Sequence, residues 1–176
     1  RVPGALDGFE TAIRAVLVDL RSYAGSELSR SDRYDSDTLA NDVIAVVEQT
    51  SNEGAPGAPD LVAHDWGGAI SWEVVARRPD LVKHFVAMNA PHRAALMREL
   101  KMNPKQRKGL RYTIFFDTPF TEYVISANGA GLLVNALRTA SRPGTFTDED
   151  LEIYLGPMRD TKRLRAALSY YREARK

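Results

Sequence analysis

Leu61-Val62-Ala63-His64-Asp65-Trp66-Gly67-Gly68, continued directly by Ala69-Ile70-Ser71-Trp72-Glu73-Val74-Val75-Ala76, is the stretch that decides how this chain folds. A short apolar run, one acid among small residues and then a helical pattern predict strand, sharp turn, helix, the setting of a nucleophile elbow. Small residues at Ala63, Gly67 and Gly68 let the backbone turn tightly enough to hold Asp65 in a strained conformation at the top of a sheet. A plainer reading uses the same residues: Asp is a favoured N-cap and Gly is common in turns, so Asp65 also fits as the cap of the helix that follows.

An acid at such a turn has a specific chemical use. A serine that displaces a leaving group at an sp³ carbon is left as an ether, which water does not readily cleave. A carboxylate is left as an ester, whose carbonyl a base-activated water can attack. Asp65 as nucleophile therefore suits two-step opening of epoxides or displacement of halides.

Outward from the elbow, the apolar run Ala15–Leu20 reads as a first strand buried on both faces of a parallel sheet. Residues 1–14 read as a loop leading to a short turn of helix, and Ser22–Ser36 as a polar surface loop. Leu39, Val43, Val46 and Val47 mark an amphipathic helix over Asp37–Thr50, ended by the Gly- and Pro-rich segment Ser51–Pro59. The elbow helix is expected to stop at Arg78, before Pro79, and His84–Asn89 reads as a third strand. Three strand-length runs separated by helical patterns imply βαβ units and a parallel sheet. After Arg93 only helices are expected: Ala94–Met102, Lys105–Phe116, Phe120–Asn128, Leu132–Thr139, Thr147–Leu155 and Asp160–Lys176. Thr147 with Asp150 reads as a capping box, and Asp160 as a cap.

The composition, 176 residues with 44% hydrophobic and 27% charged side chains, is that of a globular chain able to bury one core. A net charge of +1 gives no overall basic footprint, so no nucleic-acid partner is expected, and no run approaches the length of a membrane span. The chain has no cysteine, and His64, His84 and His92 are not at metal-ligand spacing, so neither a metal nor another cofactor is expected. His84 and His92 read as structural side chains. The expected compartment is the cytoplasm, although the absence of cysteine fits secretion equally. The basic cluster Arg98, Lys101, Lys105, Arg107, Lys108 and Arg111 reads as a solvated helix face, with attraction of anionic ligands the alternative.

His64-Asp65-Trp66-Gly67-Gly68, with Asp19-Leu20-Arg21 upstream and Met88-Asn89-Ala90-Pro91-His92 downstream, resembles the epoxide hydrolase branch of the α/β-hydrolase superfamily over roughly Ala15–Lys176. The resemblance implies an α/β fold: a partial α/β-hydrolase core over 1–92, with a parallel sheet and flanking helices, and a helical cap over 93–176. It implies Asp65 as the alkylated nucleophile and the Trp66 backbone N–H as an oxyanion-hole donor. It further implies Tyr112 and Tyr171 as donors to the epoxide oxygen, although each also lies in an apolar stripe that fits plain core. Ser22 and Ala24 stand where the family's Arg-Gly-Tyr-Gly loop has glycine, so this loop is expected to bend differently.

The implied partner is a small-molecule epoxide. A haloalkane or haloacid dehalogenase of the same fold and a non-catalytic binding module remain as alternatives. The family's catalytic His and its acid follow the cap, and its His-Gly-x-Pro loop precedes the elbow strand; none of these is found between Arg1 and Lys176. The chain is therefore expected to be an internal segment, or a truncated relative that repacks or finds a partner such as a second copy in a homodimer. Its sheet is expected to have a gap with unpaired backbone and exposed apolar edges, and turnover is not expected.

Overall fold

A computed structural model describes residues 14–52 and 57–176. The expected helical turn before Arg14 lies outside them. The ordered elements are helix α1 (Ser36–Asn52), strand β1 (Asp60–His64), helix α2 (Trp66–Arg77), strand β2 (His84–Met88) and helices α3 (Arg93–Met102), α4 (Pro104–Gly109), α5 (Tyr112–Phe115), α6 (Thr121–Ala140), α7 (Asp148–Leu155) and α8 (Thr161–Ala174). The chain is thus a short parallel α/β unit followed by helices, as its patterning requires.

β1 and β2 pair in parallel register from Asp60 opposite His84 to His64 opposite Met88. α2 packs on this pair and α1 packs on α2. The alternation along both strands follows: Leu61, Ala63, Phe85 and Ala87 are half-buried, whereas Val62 and Val86 are exposed on the other face.

The expected first strand is not formed. Ala15–Leu20 has no ladder partner, and Leu17 is 74% exposed. A strand exists only when a neighbour takes its N–H and C=O groups, and among the described residues β1 has β2 on one edge and nothing on the other. Only Leu20, at the end of the run, packs against the buried cluster.

The turn after it also departs from expectation. Ser22 and Ala24 keep positive φ, at 66° and 36°, although neither is glycine. Ser22 is fully buried, and its hydroxyl lies 3.1 Å from Tyr34 Oη and accepts the Ser29 N–H at 3.0 Å. Those bonds hold a backbone that glycine would adopt without strain.

Among the helices, the expected single span Lys105–Phe116 divides into α4 and α5, with Gly109 ending α4 and Arg111 preceding α5. The two spans expected over Phe120–Thr139 form α6, with a break at Ala127–Ala130 where Asn128, Gly129 and Ala130 are left-handed. The Thr147–Asp150 capping box is complete, and Asp160 accepts the Lys162 N–H at 2.9 Å to start α8.

α8 ties the molecule together because its apolar residues form two stripes of four-residue spacing. Ala166 and Tyr170 join Tyr34, Leu39, Ala40, Ile70 and Val74 in one buried cluster. Leu164 and Leu168 join Ile125, with Phe116, Leu133 and Met158 against them, in a second. Tyr170 is 1% exposed and donates to the Arg21 carbonyl at 2.7 Å. Arg163 donates to the carbonyls of Ser22 and Ser26 at 3.3 and 2.9 Å.

Candidate active site

Asp65 is the single residue between β1 and α2, with φ 51° and ψ −122°. Its N–H donates to the Met88 carbonyl at 3.2 Å, one rung beyond the strand ladder, and its carbonyl accepts the Ala69 N–H at 2.9 Å. Both backbone groups are therefore committed, and the side chain is turned out of the strand into solvent. Holding a non-glycine residue in this region costs about 1–3 kcal/mol, so the surrounding structure must enforce it.

Two contacts do so. A Cβ on Gly68 would lie 2.3 Å from the Ala90 Cβ, so the start of α2 crosses the end of β2 at a separation only glycine permits. Trp72 Nε1 donates to the Ala90 carbonyl at 2.9 Å, and its ring meets Phe85 and His92 edge-on at 5.0 and 5.4 Å. Asp65 makes no side-chain bond to the helix turn that it precedes, so the plainer reading of it as a cap has no support in the geometry.

Tyr112 opens α5 and Tyr171 lies near the end of α8, 59 positions apart, yet both phenols lie within the field of the Asp65 carboxylate. A run of aromatic contacts joins them: Tyr112 to Phe116 at 5.5 Å, Phe116 to Tyr171 at 4.7 Å, and Tyr171 to Trp66 at 4.9 Å. Arg172 fixes the junction by donating to the Phe116 carbonyl at 3.0 Å and pairing with Glu122 at 3.2 Å.

Burial, reinforced by the negative charge of Asp65, raises the pKa of Tyr112. Burial likewise pushes Tyr171 up to about 12; the Trp66 indole draws it down, and Asp65 and Tyr112 push it further up. Both phenols therefore remain protonated donors at neutral pH.

Tyr23 belongs to the same group and was not singled out from the sequence. Its pKa is raised by burial first, then by Tyr171 and by Asp65, and its ring packs edge-on against Tyr170 at 5.3 Å. The available signal was its place in the loop after Asp19-Leu20-Arg21, which reads as a fold marker rather than as part of a site. The Trp66 indole also belongs to this group: its Nε1 is buried without a hydrogen bond of normal geometry, beside Tyr171 and one residue from Asp65.

The histidines stand apart from this group. His84 Nδ1 lies 2.8 Å from Asp60 Oδ1 across the ladder, and His92 Nδ1 accepts the Ala94 N–H at 3.2 Å as the cap of α3. His64 precedes Asp65 on β1, where alternation sends adjacent side chains to opposite faces. Among the described residues no three His, Asp or Glu side chains are grouped to hold a metal ion, and no helix is long and apolar enough to cross a membrane.

A strained acid between a parallel strand and a helix has the form of a nucleophile elbow, and comparison with known proteins identifies the fold family. The sequence model of the alpha/beta hydrolase fold matches residues 7–120. The chain belongs to that family, and the proteins it resembles include epoxide hydrolases.

The AB hydrolase superfamily protein YfhM of Bacillus subtilis is 30% identical over 169 residues, covering 95% of this chain and 58% of that protein. Epoxide hydrolase 3 of Xenopus tropicalis is 32% identical over 121 residues, covering 68% and 32%. The crystal structure of Bacillus megaterium epoxide hydrolase in complex with an inhibitor superposes with a TM-score of 0.70 at 29% identity, over 88% of this chain and 54% of that one. The chain spans about half the length of the relatives it matches.

Proposed function

We propose that the site opens epoxides by alkylation of Asp65. The observation that carries this reading is the convergence at the elbow: an uncapped carboxylate in a strained turn, with the phenols of Tyr112 and Tyr171 brought into its field from two separate helices. A carboxylate oxygen of Asp65 attacks a ring carbon, the bond from that carbon to the ring oxygen breaks, and a phenol proton meets the oxygen as charge develops on it. The product is an ester on Asp65. The Trp66 N–H, at the start of α2 where helical amides lack internal partners, is the donor available to an oxyanion on that ester. In this reading residues 1–92 are the partial core and 93–176 the lid.

Cleavage of the ester needs a base, and the positions of His84 and His92 do not supply one. The 176-residue chain is therefore expected to form the ester and stop. Incubation with styrene oxide followed by peptide mass spectrometry should place a stoichiometric adduct on Asp65. An adduct found only elsewhere, or diol formed over many cycles, would sink this reading.

One observation favours a second reading, dehalogenation: the buried, unpartnered Trp66 indole N–H is the type of donor that a departing halide needs. Halide release from haloalkanes, with no adduct from epoxides, would select it.

A further inference from the structure

Between Arg93 and Arg111 the chain carries seven Lys or Arg side chains against one carboxylate, Glu99, although all 176 residues sum to only +1. The rest of the chain is therefore net acidic. α3 and α4 pack chiefly on each other and contain no buried residue, so this basic stretch forms an exposed helical arm.

Its charges are largely unspent within the described structure. Arg98 approaches Glu99 at 3.6 Å, and Arg107 donates to the carbonyls of Leu100 and Lys101 at 3.2 and 2.9 Å. Arg93, Lys101, Lys105, Lys108 and Arg111 make no ion pair among the described residues. Among these cations stand two exposed thioethers, Met97 at 44% and Met102 at 75% exposure. Cations flanked by flexible apolar side chains are the two elements that an interfacial helix combines.

We propose that the α3–α4 arm docks on an anionic lipid surface. Clustered cations attract acidic headgroups over about one Debye length, and flexible apolar side chains beside them can enter the headgroup and acyl boundary. A second copy of the chain would set one arm's positive charge against another's. Nucleic acid would use the cations and leave the methionines without a partner. The arm ends directly before Tyr112, and Ile114 and Phe115 next to it are also exposed, so docking sets one wall of the candidate site against the lipid. The inference rests on charge and exposure and stands whether or not Asp65 is alkylated.

Co-sedimentation of the chain with vesicles of phosphatidylcholine alone, and with about 30% phosphatidylglycerol added, tests it. Binding to the anionic vesicles should be about tenfold tighter and should weaken several-fold between low and roughly half-molar salt. Combined K101E, K105E and K108E should abolish the preference, and the matching glutamines should reduce it. Far-UV circular dichroism would establish that these exposed substitutions leave the helices intact. M102D should weaken binding at both salt concentrations. Equal binding to both vesicle types, a preference that survives the triple variants, or binding to duplex DNA without binding to vesicles would overturn the proposal.

Discussion

Trp66 and Tyr171 meet edge to face, ring centroids 4.9 Å apart and planes at 87°, and thereby join the first residue of α2 to the penultimate turn of the last helix. The contact sets the buried indole N–H, which makes no hydrogen bond of normal length, close enough to the Tyr171 phenol to lower its pKa. Trp66→Phe keeps the backbone amide and removes only that donor. The Tyr171 phenol should then titrate at still higher pH, as read by ultraviolet difference titration against the same variant carrying Tyr171→Phe. An unchanged titration would mean that the indole does not act on the phenol.

Asp65 should show a trade-off between activity and stability. Asp65→Asn should abolish ester formation and leave the fold intact, because the side chain makes no hydrogen bond in the structure. Asp65→Gly should also abolish it and stabilise the chain by about 1 kcal/mol in urea unfolding, because glycine adopts φ 51° without strain. A glycine variant less stable than wild type would show that the turn is not strained.

Gly68 is a test of packing. Gly68→Ala should destabilise by about 1–3 kcal/mol, since the new methyl would sit 2.3 Å from the Ala90 Cβ. Ala90→Gly in the same chain should recover most of that loss. Additive losses in the double variant would show that the two positions do not oppose each other.

The buried phenols predict an alkaline limit to stability. Tyr171 ionises in the folded chain at about 12 against an ordinary value of 10.0, and Tyr23 is shifted in the same direction. A folded-state pKa above the unfolded one gives stability that is fully present below about pH 10 and lost as pH rises towards the folded value. Denaturant midpoints should be level up to about pH 10 and then fall, and Tyr171→Phe should flatten part of the fall. Across the same range below pH 10, Asp65 alkylation should not lose its phenol donors.

Local sequence determined a good deal of this molecule. The stop of α2 before Pro79, the capping box at Thr147 and the Asp160 cap follow from side chains acting within a few residues of themselves, so pattern alone reveals them. Pattern also marks the place of the elbow, whose strain is enforced by contacts to Ala90. Asp65 is marked as a candidate nucleophile by the elbow pattern itself, whereas the roles of Tyr112 and Tyr171 rest on resemblance, since spacing alone leaves the tyrosines indistinguishable from core.

Tertiary structure decided the rest. Ala15–Leu20 carries every local mark of a strand and forms none, because pairing depends on a neighbour that the local run cannot specify. Ser22 and Ala24 hold positive φ because long-range contacts from Tyr34 and Arg163 grip that turn. Tyr23, Trp66, Tyr112 and Tyr171 converge on one acid only because α8 buries one stripe against the first cluster and another against the second. That convergence is a property of packing between distant segments, and no local pattern encodes it.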